Sequence, residues 1–344
     1  MDSGGGRVRR RRSAGLLAVT GSATPLGSAL VDMLRVGTAA AKVISIDGPS
    51  ATDLAGVDVV VHLATDRSAA TPTSQRHALN VHGTEQLLDA AAAAGVRRVV
   101  LLTSAMVYGA SPTNAVPIDE DAPLVSGSPT GLLGEWLAME RAAHDREGAG
   151  AGTLEVVVVR PASLVGLVAD SLLPGLFESI RLLAIRDGHC HWQLCHTDDL
   201  LTALVSAATG AVSGAVTVGC EGWMAQRQVE SIADMRSVVL PSAVAFATAD
   251  RLHRIGVLSS PSSDLHFLID PWVVGSQRLR ETGWTPAWTN QAALAEHLAT
   301  LGERVGRGLI VVDRKNATRA AAGAGATLAV VGSLALARAR TRRR

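Results

Sequence analysis

Two stretches of the sequence hold residue types that could do chemistry. Gly21-Ser22-Ala23-Thr24-Pro25-Leu26-Gly27 is a glycine-bounded turn, the kind of backbone that presents amides to a phosphate. His189-Cys190-His191-Trp192-Gln193-Leu194-Cys195-His196 gathers five soft donors into eight residues and invites a metal reading. On a strand, His189, His191 and Cys195 would share one face while Cys190 and His196 share the other, and Cys220 is the one further thiol. That spacing lacks the paired turns of a tetrahedral site, so no metal is expected. Ser104 and Tyr108 add two hydroxyls, and Asp119, Glu120, Asp121 and Glu135 follow as acids. Partners that would sharpen those hydroxyls are scarce. The 344 residues include one tyrosine, Tyr108, and two lysines, Lys42 and Lys315, and Pro112 stands four residues after the tyrosine.

Around these residues strands alternate with helices. Leu16-Leu17-Ala18-Val19-Thr20 reads as a short buried strand running straight into the glycine turn, and Leu30, Met33 and Leu34 line one face of the helix that follows. A second strand over 43–46 ends at Asp47, twenty-six residues after Gly21, where a carboxylate can accept from a ribose. Asp58-Val59-Val60-Val61-His62-Leu63-Ala64, a helix over 80–94 and Arg98-Val99-Val100-Leu101-Leu102-Thr103-Ser104 continue the series. The pattern predicts an α/β fold: a doubly wound parallel, Rossmann-like sheet with a smaller C-terminal substrate-binding part and a C-terminal tail helix. Ten residues separate Asp47 from Asp58, too few for a further strand and its crossover, so an edge strand is expected to be missing.

Seven pieces, in order, resemble the extended short-chain dehydrogenase/reductase family, specifically its NAD-dependent epimerase/dehydratase group (UDP-glucose 4-epimerase-like). They are the Thr20–Gly27 turn, the 58–64 segment, Asn80-Val81-His82-Gly83-Thr84, Ser104-Ala105-Met106-Val107-Tyr108-Gly109, Arg160-Pro161-Ala162-Ser163-Leu164-Val165-Gly166, His196-Thr197-Asp198-Asp199 and Gly283-Trp284-Thr285-Pro286. The resemblance covers roughly residues 15–300 and implies a domain over 14–305. Its Rossmann part would be 14–160 and 197–218, and its substrate-binding part 161–196 and 219–305. It implies NAD as cofactor, held by Gly21, Thr24, Pro25, Leu26, Gly27, Asp47, Leu63, Ala64 and Pro161. Asp47 favours NAD over NADP because an acid repels a 2′-phosphate. It further implies Ser104 as the catalytic serine, substrate contacts at Ser104, Tyr108 and Ser163, a nucleotide-sugar ligand, and Arg160 and Asp199 as scaffold. A homodimer through the helix over 131–144 follows from the resemblance alone.

The chain departs from the family at three places. Thr24 replaces a glycine that lets the backbone approach the pyrophosphate; Thr24-Pro25 makes a sound helix start, so NAD binding is expected to be weakened. The short 47–58 gap would shrink one wall of the adenine pocket. In Ser128-Pro129-Thr130-Gly131-Leu132-Leu133-Gly134-Glu135-Trp136, Thr130 stands for the catalytic tyrosine and Gly134 for the lysine four residues on. A threonine is too weak an acid for that proton transfer, and glycine carries no charge. The expectation is an NAD(P)-binding-fold protein that acts in nucleotide or sugar-nucleotide binding, regulation or assembly. The rival expectation is an active NAD-dependent epimerase or oxidoreductase with a non-standard proton shuttle drawn from Asp119, Glu120, Asp121 or Glu135. Those four read as solvated loop and helix-start acids.

Charge divides the chain by region. Lys+Arg total 32 and Asp+Glu 31, but arginines crowd residues 1–12 and 313–344 and leave an acidic body, which argues against nucleic acid as a partner. Three cysteines make no disulfide framework and fit a reducing cytoplasm. Residues 1–13 read as a disordered basic tail and 306–344 as a linker with an Ala/Gly-rich tail. Within that tail the uncharged run 320–337 would extend about 27 Å as a helix. It is a candidate to span a membrane or to lie on an anionic membrane surface, with a disordered tail as the third alternative.

Overall fold

The computed structural model describes residues 15–37, 42–46, 54–147, 154–168, 176–177, 181–186, 188–255, 258 and 260–306. Five strands of its central sheet come from the first half of the chain: β1 (Leu16–Thr20), β2 (Lys42–Ile46), β3 (Val57–His62), β4 (Arg98–Leu102) and β5 (Glu155–Pro161). The sixth is Ala215–Val218, next to β5, and the order from there is β5, β4, β3, β1, β2, with every pairing parallel. Strands covered on both faces need apolar side chains on both, and β-branched ones fit the pleat. Val59, Val60, Val61, Val99, Val100, Val157 and Val159 supply them and are fully buried. The fold class is the one the alternation of strands and helices predicts.

From β1 the chain passes through α1 (Pro25–Gly37) to β2 and then returns to the opposite side of β1 as β3. That reversal makes a crevice at the carboxyl ends of β1 and β3, the place where open α/β sheets bind ligands. Among the described residues β2 is the edge strand, in keeping with the short gap that follows it; Asp47 lies outside the described residues.

The helix expected over 80–94 forms, but it starts earlier and carries an irregular turn. A short α2 (Thr73–His77) leads into one π-helical turn, Ala78–His82, before α3 (Gly83–Ala94). α3 packs beside α4 (Gly131–Arg146), tied by Arg146 Nε to Asp89 at 2.6 Å, while α5 (Thr197–Ala208) packs against α1. The substrate-side part is built from small strand pairs. Ser163–Val165 runs parallel to Leu194–His196, Leu182–Ile185 parallel to Ser237–Leu240, and His191–Trp192 antiparallel to Met224–Ala225. A helix, Asn290–Gly306, closes the described chain. The candidate membrane run 320–337 lies outside the described residues; among those described, no helix is long and apolar enough to cross a membrane.

Candidate functional site at the carboxyl ends of the central strands

β1 delivers the chain to Gly21, whose φ of 67° lies in the left-handed region and where a Cβ would sit 2.8 Å from the Leu63 carbonyl. Gly27 is held as closely, since a Cβ there would lie 2.2 Å from the Gly21 oxygen. The first turn of α1 is therefore pressed onto the end of β1. Thr24 folds back on this turn: its hydroxyl donates to the Gly21 carbonyl at 2.7 Å and accepts from the Gly27 amide at 3.1 Å. Pro25 has no amide proton and that of Gly27 is engaged, so of the first three helical residues Leu26 is the one left to offer an amide to an anion.

A polar chain leads away from this turn. Thr20 Oγ1 accepts from the Leu63 and Ala64 amides, both at 3.2 Å, so its own proton goes to His62 Nδ1 at 2.7 Å. This fixes the imidazole tautomer with its proton on Nε2, which donates to Thr84 Oγ1 at 3.2 Å; Thr84 in turn donates to the Asn80 carbonyl. Burial lowers the His62 pKa to about 4 and keeps the ring neutral. Asn80, in the π turn, accepts from the Asp66 amide at 2.7 Å and donates to the Asp66 carbonyl and Glu135 Oε2, both at 2.8 Å. Arg76 Nε lies 3.0 Å from both oxygens of Glu135. The glycine turn and the first turns of α4 are thus joined through buried polar groups.

At the end of β4, Ser104 is buried and its Oγ accepts from the Met106 amide at 3.3 Å. Its neighbour Thr103 donates to Glu140 Oε1 at 2.7 Å, and Glu140 Oε2 accepts from Arg160 Nη2 at 2.6 Å. Arg67 Nη1 donates to the Thr103 carbonyl at 2.7 Å, and its guanidinium lies 4.9 Å from the centre of the Trp136 ring. Trp136 and Glu140 therefore share the face of α4 turned to the end of β4, and helical spacing puts Leu132 next on that stripe. Gly134 leaves no room for a side chain: a Cβ there would lie 2.0 Å from the Pro129 carbonyl oxygen. Thr130 is the N-cap residue of α4 and makes no side-chain cap bond.

Two of the acids expected to be solvated are not. Glu120 and Glu135 are 5% and 3% exposed. Glu120 accepts from the Thr217 amide and hydroxyl and from the Arg278 amide, at 2.9, 3.2 and 2.9 Å. Buried N–H groups need acceptors, and these carboxylates meet that need. Asp119 and Asp121 are exposed, the latter paired with Arg278. Tyr108 donates to the Glu120 carbonyl at 2.9 Å and accepts from Arg160 Nη1 at 2.6 Å, so its hydroxyl is engaged within the scaffold; burial pushes its pKa up to about 12. Asp199 accepts from the Ala287 and Trp288 amides at 2.7 and 3.2 Å, a scaffold role like that of Arg160.

Among the described residues no cluster of three or more His, Cys, Asp and Glu side chains could hold a metal. His196 instead stacks on Trp288 with ring centres 3.7 Å apart. Ser163 helps line a small recess with Cys190, His191, Trp192, Phe267 and Trp272.

The family model described as NAD dependent epimerase/dehydratase matches residues 17–219. The chain belongs to that family. An uncharacterized protein of Mycobacterium tuberculosis is 30% identical over 260 residues, which make up 72% of this chain and 66% of that protein, so the chain spans about two thirds of that relative's length. A Stigmatella aurantiaca protein named 4-hydroxy-2-methyl-3-oxo-4-farnesyl-3,4-dihydroquinoline-1-oxide ketoreductase is 30% identical over 167 residues, 47% of this chain and 48% of that one. The crystal structure of UDP-glucuronic acid 4-epimerase from Bacillus cereus in complex with NAD superposes with a TM-score of 0.61 at 16% identity. It covers 84% of this chain and 99% of its own, a likeness of fold.

For a member of this family the phase of α4 is informative. Matching the Ser128-Pro129 segment assigns Thr130 and Gly134 to the tyrosine and lysine positions, whereas the residues on the stripe facing β4, four apart, are Leu132 and Trp136. Neither pair contains a phenol or an amine. The sequence signal for the second pairing was the spacing Leu132, Trp136, Glu140, with the Glu140–Arg160 bond as its anchor.

Proposed function

We propose that this family member binds NAD at the turn over 21–27 and works through ligand binding, regulation or assembly, not through a tyrosine–lysine proton shuttle. One observation carries the reading: the stripe of α4 facing the end of β4 is Leu132, Trp136 and Glu140, and Glu140 is consumed by Arg160 and Thr103. The acids that could replace the shuttle are engaged or distant from it in kind: Glu120 and Glu135 each accept several N–H bonds. Residues that fit the cofactor are the two glycines, which leave no room for a Cβ, with Leu63 and Ala64 against Gly21 and the Leu26 amide left to an anion. When bound, NAD supplies a hydride acceptor. The protein's part is to orient it and to cover it, and Thr24, by taking the Gly27 amide, lowers the strength of the phosphate contact.

Denaturing the purified protein and assaying the supernatant for NAD(H), together with melting curves in added NAD, tests this. The expected result is little retained cofactor and a melting temperature that rises with NAD and saturates at high concentration. No rise at any concentration overturns the binding half. Stoichiometric tightly held NAD(H) that cycles between redox states on adding a sugar nucleotide overturns the other half.

A further inference from the structure

We propose that the groove between α4 and the sixth strand, Ala215–Val218, is a binding site for a small molecule with an apolar chain and one carboxylate. This goes beyond the reading of the glycine turn and does not depend on it. The groove has a volume of about 370 Å³, within the range of small-molecule pockets. Val156, Val158 and Arg160, alternate residues of β5, share the strand face that lines it, and that span of strand makes it about 13 Å long. Leu137, Arg141 and His144, four and three residues apart, line it from α4. Leu124, Val125 and Ala215 add to the lining.

The lining is core surface left partly open. Leu124, Val125 and Val158 pack against the main hydrophobic core yet stay partly exposed, whereas Leu137, Ala143 and Val156 beside them are buried. An alkyl chain laid along β5 would remove the three open side chains from water. Glu140 and Arg160 stand at one end, and both are engaged: Glu140 accepts from Thr103 and Arg160, and Arg160 also donates to Tyr108. That end is a closed ion pair and offers no net charge to a ligand.

The open charges of the groove come from the helix. Arg141, His144 and Glu147 are exposed, and among the described residues none of the three makes a side-chain hydrogen bond or ion pair. The guanidinium of Arg141 is a planar fork that takes a carboxylate through two N–H bonds, and His144, one turn on, can add a further donor. Glu147, about 9 Å beyond Arg141 along the helix, repels an anion from the other end of the groove. One unpaired guanidinium can offset one negative charge. A phosphate monoester or a diphosphate would bring more charge to the apolar floor than Arg141 can balance.

The test titrates the full-length protein by calorimetry with decanoate, kept below its micelle concentration, beside decanol and decyl phosphate. Saturable binding of decanoate at a single site per chain is expected, with decanol and decyl phosphate each about tenfold weaker. Arg141→Met keeps the apolar stem and removes the charge; it should weaken decanoate about tenfold and leave decanol unchanged. Ala215→Leu fills part of the groove and should weaken both. Arg141 is exposed, so its variant carries the test should Ala215→Leu fail to fold. No saturable decanoate binding, decyl phosphate bound as tightly as decanoate, or a decanoate affinity indifferent to Arg141→Met would each overturn the proposal.

Discussion

The glycine turn and the first turns of α4 stand at the two ends of one polar chain, and different things hold them. At the turn the constraint is backbone: Gly21 and Gly27 leave no space for a side chain, so the shape of a phosphate site persists as long as β1 and α1 stay packed. At α4 the constraint is side-chain anchoring. Glu140 is fixed by Arg160 and Thr103, and Glu135 by Arg76 and Asn80, all buried. None of these anchors depends on what occupies positions 132 and 136. The helix can therefore keep its place whatever side chains stand at 132 and 136. Backbone geometry is held by packing, whereas side chains on a separately anchored helix can change without moving it.

That contrast breaks if the anchors are not what hold α4. Glu140→Ala leaves the buried guanidinium of Arg160 without its partner and is expected to cost about 3–5 kcal/mol in urea unfolding, with Leu132→Ala costing less. A cost for Glu140→Ala below that of Leu132→Ala would refute the anchoring argument.

Acid titration examines the polar chain between the two regions. The folded pKa of His62, about 4, lies below its usual 6.5, so its contribution is present above pH 6.5 and is lost as pH falls toward 4. Asp264, whose loop abuts the start of α4 at Pro261 and Gly131, behaves oppositely: burial raises its pKa from 3.8 to about 6, and stability is gained as pH falls through that range. Each is worth about 3 kcal/mol and they nearly offset. Asp264→Asn should therefore lose stability on acidification from pH 6.5 toward 4, His62→Gln should gain it, and wild type should change little. Parallel slopes for the two variants would contradict the assignment of His62 as a buried neutral relay.

The mildest change addresses the turn itself. Thr24→Gly removes a cap that glycine replaces at a cost of a few tenths of a kcal/mol, on the order of 0.3. It frees the Gly27 amide, and NAD should bind about tenfold tighter by calorimetry. Unchanged affinity would mean that Thr24 does not weaken the phosphate contact.

Much of this architecture was legible because it is local. Valine runs, a glycine turn and helical periodicity are short-range signals, and they predicted the parallel sheet with its flanking helices, whereas the scaffold roles of Arg160 and Asp199 came from the family resemblance. The burial of Glu120 and Glu135 was not legible, because the groups that bury them come from far along the chain: Arg76 is 59 residues from Glu135, and Thr217 and Arg278 are 97 and 158 from Glu120. The phase of α4 was hidden for a related reason. Aligning Ser128-Pro129 draws attention to Thr130 and Gly134, but the helix is anchored by Glu140 reaching Arg160 on β5, and helical spacing from Glu140 runs through Trp136 to Leu132. The π turn at Ala78–His82 has no composition of its own; it accompanies the bonds of Asn80 to Asp66 and Glu135.

The central claim is that no side chain here drives proton transfer at Ser104. Its direct test is nicotinamide fluorescence of the NAD-loaded protein incubated with UDP-glucose and with an uncharged polycyclic alcohol, from mildly acidic to mildly alkaline pH, beside Ser104→Ala. Equal, background rates for the two proteins at every pH are the outcome this account predicts; cofactor reduction in wild type that Ser104→Ala abolishes would contradict it.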